Sequence, residues 1–399
     1  MATSNFKPST FHLSLPFFGD AHSKLMERLL PWIETQVVDE SDDRAACLEW
    51  VKLLGKGDWL RFCVPAHAGG VLERLDSRAL VLIREALAFH SPLADFAFAM
   101  QGLGSGAITL AGRPEQHKDY LVPVGTGEKI AAFALSEPDA GSDVGAMTMR
   151  AVGTPEGWRL NGEKTWISNG GLADFYCVFA KTDPAGGTSG ITAFIIDAST
   201  PGLDSSNHIQ TMSPHPLSSL RFDNCLVPDG AQLGELNGGF KLAMRTLDIF
   251  RASVAGAALG MARRALAESI VHARSRRMFG QTLANFQLTQ AKFGEMAALI
   301  DSAALLTYRA AWMRDVGERK GAPPSGDLTA AAAMAKMCAT ENASRVIDMA
   351  LQMHGGLGVK VGSKIEGLYR DIRALRIYEG ATEVQQLIIG KAVLASKWK

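Results

Sequence analysis

A chain of 399 residues is longer than one hydrophobic core usually supports, so two or three packed units are expected. Hydrophobic residues make up 47% and charged residues 21%, as in ordinary folded enzymes, and Lys+Arg equals Asp+Glu at 41 each. That balance leaves no net field to recruit nucleic acid or an anionic membrane surface. The five cysteines (Cys47, Cys63, Cys177, Cys225, Cys338) are scattered and never spaced as CxxC, which argues against a disulfide framework or a thiolate zinc site and for a reducing compartment. The nine histidines form no HxxxH or HExxH pair, so no metal centre is expected. No stretch approaches the ~20 continuous apolar residues of a membrane span. The N-terminus has no secretory apolar core; it is acid-free up to Asp20 but carries no arginine, a poor transit peptide.

From Phe18 to about Leu121 apolar residues recur at helical spacing, as in Leu25, Met26, Leu29, Leu30 and Ile33. Arg78–Met100 is apolar on nearly every face and predicts one helix buried among others. Gly102, Gly104 and Gly106 should then loosen the chain before a second short helical run. From about Ile130 to Glu235 short alternating runs replace that pattern, for example Ala131–Leu135, Phe175–Ala180 and Ile191–Ile196. Asn161-Gly162 between two such runs predicts a hairpin turn in a small β domain. Alanine-rich helical pattern returns from Gly239, with breaks at Gly321-Ala322-Pro323-Pro324 and at Gly355-Gly356. The expected order is helical, β, helical, over residues 1–125, 126–235 and 236–399.

Five segments could carry chemistry. Leu135–Asp143 (LSEPDAGSD) follows a predicted strand and leaves backbone donors open to a polar ligand, although the same residues also make a plain surface turn. In Asn161–Gly170 (NGEKTWISNG), Trp166 offers a flat face and Ser168 a donor, suited to a planar heteroaromatic ring; a core tryptophan fits equally. Arg276-Arg277-Met278-Phe279-Gly280 before Phe286-Gln287 could clamp a phosphate and stack on a base, or be a solvated turn. Gly356, Gly358 and Gly362 fit a dinucleotide-type GxGxxxG, but the residues before them look helical where that fingerprint needs a strand. A helix ending in glycine with free amides beyond it is the better reading. Finally, Glu379 lies between Tyr378 and Gly380, where burial could raise its pKa as a general base requires; taken alone it reads as a charged residue at a helix end.

In order and spacing these segments together resemble the acyl-CoA dehydrogenase family, from about Phe18 to Lys391. The strongest matches are Leu135–Asp143, and Gln352–Gly358 followed by Tyr378-Glu379-Gly380. The resemblance implies a mainly α fold with a central β domain: an N-terminal helical domain, a β-barrel-like middle domain and a C-terminal four-helix bundle. Members usually assemble as homotetramers with FAD shared across a dimer interface. By this resemblance Leu135, Ser136, Trp166 and Ser168 would contact the flavin ring and ribityl chain. Arg276, Phe279, Gln287, Gln352 and Gly356 would hold the pyrophosphate and adenosine end, partly on a neighbouring subunit's cofactor. Ser142, Asp248, Arg251 and Gly380 would contact the acyl-CoA, and Glu379 matches the catalytic glutamate. Some members place the base just before the arginine that matches Arg251; here that position is Phe250, which cannot take a proton. Ala381 stands where many members carry a threonine whose hydroxyl contacts the flavin, and by the resemblance the adjacent Thr382 is the candidate cofactor contact.

The implied reaction removes the α proton of an acyl-CoA thioester at Glu379 and passes the β hydrogen, as hydride, to flavin N5. The thioester oxygen would accept from the Glu379 backbone N–H and the flavin 2′-hydroxyl. An electron-transferring flavoprotein is the implied acceptor rather than oxygen, because acyl-CoA oxidases are usually much longer. A nitroalkane oxidase would carry an aspartate base, and a non-catalytic CoA- or flavin-binding scaffold would have lost the base. A cytoplasmic enzyme is expected, or one of the mitochondrial matrix in a eukaryote. Phe96 and Phe98 suggest a compact pocket for short, branched or ring-bearing acyl groups.

Overall fold

The computed structural model describes residues 10–319 and 326–395, so the predicted break at Gly321–Pro324 lies outside the described residues. In chain order come α1 (Asp20–Glu34), α2 (Asp43–Lys56), α3 (Ser77–His90), α4 (Pro92–Ala111) and the short α5 (Pro114–Gln116) and α6 (Val122–Thr126). The strands follow: β1 (Ala131–Ala134), β2 (Arg150–Thr154), β3 (Gly157–Ser168), β4 (Phe175–Lys181), β5 (Ile191–Asp197), β6 (Leu203–His208), β7 (Leu217–Val227) and β8 (Gln232–Leu233). Then come α7 (Gly239–Ser275), β9 (Arg277–Met278), β10 (Gln281–Thr282), α8 (Gln287–Arg319), α9 (Gly326–His354), α10 (Lys364–Leu375) and α11 (Thr382–Leu394). Among the described residues no helix is long and apolar enough to cross a membrane.

The chain divides into two compact units. One holds Met1–Val37, Asp76–Asp95 and Arg251–Lys399; the other holds Val38–Leu75 and Phe96–Phe250. The division falls inside α4 and inside α7. In the first unit the core is built largely from alanine: Ala255, Ala258 and Ala262 of α7 and Ala331, Ala335 and Ala339 of α9, with Met296, Ile300 and Tyr308 of α8. Small side chains let long helices approach closely. At Gly256 a Cβ would stand 2.6 Å from the Val81 carbonyl oxygen on α3, and at Gly260 closer still to that of Glu85. We expect Gly256→Ala to destabilise this unit by about 1–3 kcal/mol in denaturant unfolding, because overpacking against backbone exceeds the ~1 kcal/mol helix-propensity gain.

In the second unit the strands form one eight-stranded sheet in the order β6-β7-β3-β2-β4-β5-β8, with β1 pairing parallel to β4. Strands β4 and β5 pair antiparallel from Phe175↔Asp197 to Lys181↔Ile191 and are buried nearly throughout, as their unbroken apolar runs require.

Three local expectations are corrected. Arg78–Met100 is two helices, because Pro92 opens α4 and the Ser91 hydroxyl accepts from the Ala94 N–H at 3.1 Å, an N-cap. Gly102, Gly104 and Gly106 do not loosen the chain; α4 runs through all three. They are close-approach positions: a Cβ at Gly102 would lie 2.7 Å from the Phe250 ring, and at Gly104 2.7 Å from Ala131 Cβ. Asn161-Gly162 is no hairpin turn either. Strand β3 continues through it with a register shift between Leu160 and Gly162, and the turn back to β2 is at Thr154–Gly157.

Candidate active site

Glu379 sits in the turn between α10 and α11, closed by the Thr382 N–H donating to the Arg376 carbonyl at 3.2 Å. Its φ is +54°, followed by Gly380 at +95°. Non-glycine residues adopt this left-handed region at a cost, so the surrounding contacts must hold it. Three donors do so. Arg251 Nε donates to the Glu379 carbonyl at 3.4 Å; Gln385 Nε2 lies 3.3 Å from the same oxygen and 2.9 Å from the Gly380 carbonyl; Lys336 Nζ donates to the Gly380 carbonyl at 2.7 Å.

Both Glu379 carboxylate oxygens are buried and have no hydrogen-bond partner among the described residues. Burial therefore raises the Glu379 pKa above the usual carboxylate value, against the pull of Arg84, Lys336 and Arg251, with Asp95 adding to the rise. Arg84 of α3 is itself locked: its Nε and Nη2 reach the two Asp95 oxygens at 2.8 and 2.9 Å, and Nη1 donates to the Ser253 hydroxyl at 2.9 Å. Thr382, an anticipated cofactor contact, gives its hydroxyl to Glu341 at 2.6 Å, and Arg376 donates to the same Glu341 oxygen at 2.8 Å.

In the other unit Leu135-Ser136 and Thr165-Trp166 are drawn together. The Thr165 N–H donates to the Ser136 carbonyl at 2.9 Å, and the buried Lys164 ammonium reaches the Leu135 carbonyl at 3.1 Å and Glu137 at 2.8 Å. The β3–β7 register shifts between Lys164 and Ile167, and Trp166 inside that bulge has φ +58°. A bulge re-aims its side chain, and the indole is left 59% exposed, while Ile167 next to it is buried. Trp166 is thus a surface platform and not a core tryptophan. Ser168 ends the same strand, half-buried.

A cavity of about 640 Å³ in the first unit gathers Arg276, Gln352 and Gly356 with His272, Lys292 and Gly355. Helix α9 ends at His354 and Gly355 follows at φ +57°, so the segment before the glycines is a helix, not a strand. The Arg276 stretch forms the two-stranded β9–β10 ribbon, and Phe279 at its tip is 87% exposed. Gln287 begins α8, exposed; neither it nor Phe279 lines the cavity. Ser142 is exposed in the turn after β1, Asp248 is half-buried in α7, and Phe250 is buried against Gly102 and Gly106.

Sequence reading missed four residues of the Glu379 surroundings: Arg84, Asp95 as its partner, Lys336 and Gln385. The available signal was charge within an apolar helix, the Arg84-Glu85 pair in Leu80–Phe89 and the lone Lys336 in Ala330–Ala339, since such charges are buried only with partners.

Residues 20–128 match the acyl-CoA dehydrogenase N-terminal domain, 132–225 the middle domain and 237–394 the C-terminal domain. The chain is 37% identical over 385 residues to a 3-(aryl)acrylate reductase of Clostridium sporogenes, covering 95% of this chain and 100% of that one. It is 36% identical over 366 residues to the caffeyl-CoA reductase-Etf complex subunit CarC of Acetobacterium woodii, covering 91% and 94%. Its fold is similar to the solved butyryl-CoA dehydrogenase of Megasphaera elsdenii, with a TM-score of 0.86, 32% identity and coverage of 94% and 99%. The helical, β, helical order, these matches and this likeness agree, and the chain belongs to the acyl-CoA dehydrogenase family, oxidoreductases acting on CH–CH donors.

Proposed function

We propose that the protein catalyses FAD-dependent α,β-dehydrogenation of an acyl-CoA thioester to the 2-enoyl-CoA, with Glu379 as the base and an electron-transferring flavoprotein as acceptor. The carrying observation is the Glu379 carboxylate: buried, unpartnered among the described residues, and held in a left-handed turn by Arg251, Lys336 and Gln385. A carboxylate with a raised pKa is matched to take a proton from a weak carbon acid. Two buried carboxylate oxygens without donors among the described residues support that role.

The residues present fit FAD. The outward Trp166 indole beside Leu135, Ser136 and Ser168 suits a planar ring, and the cavity with Arg276 and Lys292 suits a pyrophosphate, to which Phe279, Gln287, Gln352, Gly356 and Thr382 are assigned as further contacts. When bound, FAD supplies the acceptor for the β hydrogen. The chain's own residues do the rest. Glu379 receives the α proton at its carboxylate, its backbone N–H is offered to the thioester oxygen, and Ser142, Asp248, Arg251 and Gly380 hold the CoA and thioester. Substrate binding excludes water from Glu379 and strengthens each of these interactions. The division into 1–125, 126–235 and 236–399, a homotetramer and a compact acyl pocket near Phe96 and Phe98 belong to the same proposal. Phe98 is 1% exposed and Phe96 packs on His215 at 4.7 Å between ring centroids.

The relatives named as reductases favour a second reading, in which the site works in the opposite direction and protonated Glu379 returns a proton to the α carbon. An anaerobic bleaching assay separates the two. Protein purified with FAD should bleach with short or ring-bearing acyl-CoAs, and the reduced protein should regain colour with the matching enoyl-CoA if reduction is its work. Colourless protein that takes up no FAD would overturn both readings. Efficient bleaching by long straight-chain acyl-CoAs would overturn the compact pocket.

A further inference from the structure

Lys336 is a buried lysine, at 0% exposure, in the middle of α9 on a helix otherwise lined by alanine. Burying an ammonium costs several kcal/mol unless something compensates it. Among the described residues its ammonium donates to the Gly380 carbonyl at 2.7 Å, a neutral acceptor. Among the described residues the countercharge is not a contacting carboxylate: the strongest influence opposing the burial of Lys336 is Glu379, with Glu341 and Glu383 adding less, while Arg251 repels it. Burial brings the lysine down to about 8, so it is a cation at neutral pH. Salt pairing alone would have placed a carboxylate on the ammonium; here the ammonium holds the backbone next to one.

We propose that Lys336 is a positioning residue of the Glu379 site: its ammonium pins the Gly380 carbonyl, fixing the base turn, and keeps a positive charge near the Glu379 carboxylate. Two consecutive carbonyls are thereby clamped, that of Glu379 by Arg251 and Gln385 and that of Gly380 by Lys336 and Gln385. With the two peptide planes that flank Gly380 fixed, the chain leaving the left-handed Glu379 is held in one path. Lys336 also acts through charge. The groups facing Glu379 are Arg84 from α3, Asp95 from α4, Arg251 from α7 and Lys336 from α9; Arg84 pulls most strongly, but it is paired at two points with Asp95, whose charge acts on Glu379 in the opposite sense. Among the described residues Lys336 has no such direct carboxylate partner, so its charge is available to the base.

This inference rests on Glu379 being the base, and the test keeps the two apart. The rate of anaerobic flavin bleaching at saturating acyl-CoA is measured against pH for the wild type, Lys336→Met, Lys336→Gln and Lys336→Arg, with bound flavin and the melting temperature recorded for each. Glu379 works ionised, so the rate falls on the acidic side of its pKa. Removing a nearby cation raises that pKa, and the acidic limb of Lys336→Met and Lys336→Gln should move up by about one pH unit. At a pH on that limb this is roughly a tenfold loss of rate. Lys336→Arg keeps the charge and should keep the limb in place. Lys336→Gln retains a donor for the Gly380 carbonyl and serves if Lys336→Met does not fold. A uniform loss of rate at every pH, with the limb unmoved in either neutral variant, would reduce Lys336 to a structural residue and overturn the proposal. Glu379→Gln is run alongside: if it bleaches as fast as the wild type, the base assignment has failed, whatever Lys336 does.

Discussion

Glu379→Gln should bind flavin as the wild type does and bleach it with acyl-CoA about 10²–10⁴-fold more slowly, the range a positioned general base contributes. Glutamine has nearly the same shape, so the turn between α10 and α11 should keep its form. The Arg251, Lys336 and Gln385 contacts all go to backbone carbonyls and none depends on the side chain. Stability should change little, because the substitution removes a buried carboxylate without a hydrogen-bond partner among the described residues but also the charge that offsets the buried Lys336. Stopped-flow bleaching together with a melting curve reads both effects. A slow variant that has also lost its flavin or its fold would say nothing about proton abstraction; a stable, yellow, slow one isolates it. Bleaching at the wild-type rate would end the assignment.

The second large effect is expected in the other unit, at the Lys164–Glu137 pair. Lys164 is fully buried and Glu137 nearly so, and besides the 2.8 Å ion pair Glu137 accepts from the Thr148 and Met149 N–H groups and the Thr148 hydroxyl. Burial alone would raise the Glu137 carboxyl; Lys164 and those amides outweigh it and hold it below its usual value. Lys164→Met strands a buried carboxylate and should cost about 3–5 kcal/mol in denaturant unfolding, whereas the double variant Glu137→Gln/Lys164→Met should recover part of that loss. A carboxyl held low contributes stability above its ordinary pKa and loses it as pH falls through the lowered value. Unfolding of the wild type should therefore become easier in that acid range, and the double variant should lack this component. The same substitution should weaken FAD retention, since Lys164 also holds the Leu135 carbonyl beside the Trp166 bulge. Unchanged stability in Lys164→Met would show that water reaches the pair.

The two predictions differ in how far the sequence alone supports them. Glu379 is singled out by the family resemblance, but the charges that act on it come from α3, α4, α7 and α9, which are far apart along the chain. No local pattern reports such a convergence, which is why the isolated residue reads as an ordinary charge at a helix end. Helical and strand periodicity are local, and so the helical, β, helical order was legible throughout. So was the rejection of a dinucleotide turn at Gly356, since α9 runs up to His354. The failures share one cause. Asn161-Gly162 has the chemistry of a tight turn, yet its neighbours across the sheet make it a bulge. Gly102 and Gly106 look like breaks, yet the Phe250 ring needs their missing side chains. In each case a tertiary neighbour decided between two conformations that the residue permits equally. Ser91-Pro92 is different: the cap signal is local and was present, but the apolar run around it masked the break.

The left-handed backbone at Glu379 has a consequence for engineering. That conformation costs an ordinary residue of order 1 kcal/mol or more and a glycine almost nothing. The side chain adds the burden of a buried acid without donors among the described residues. Position 379 is thus one where the present residue is a poor choice for folding. A library selected only for heat resistance should drift there, toward glycine or asparagine, and its winners would be hardened proteins with the carboxylate gone. Thermostability campaigns on this chain need position 379 held constant, or a screen that scores turnover alongside survival.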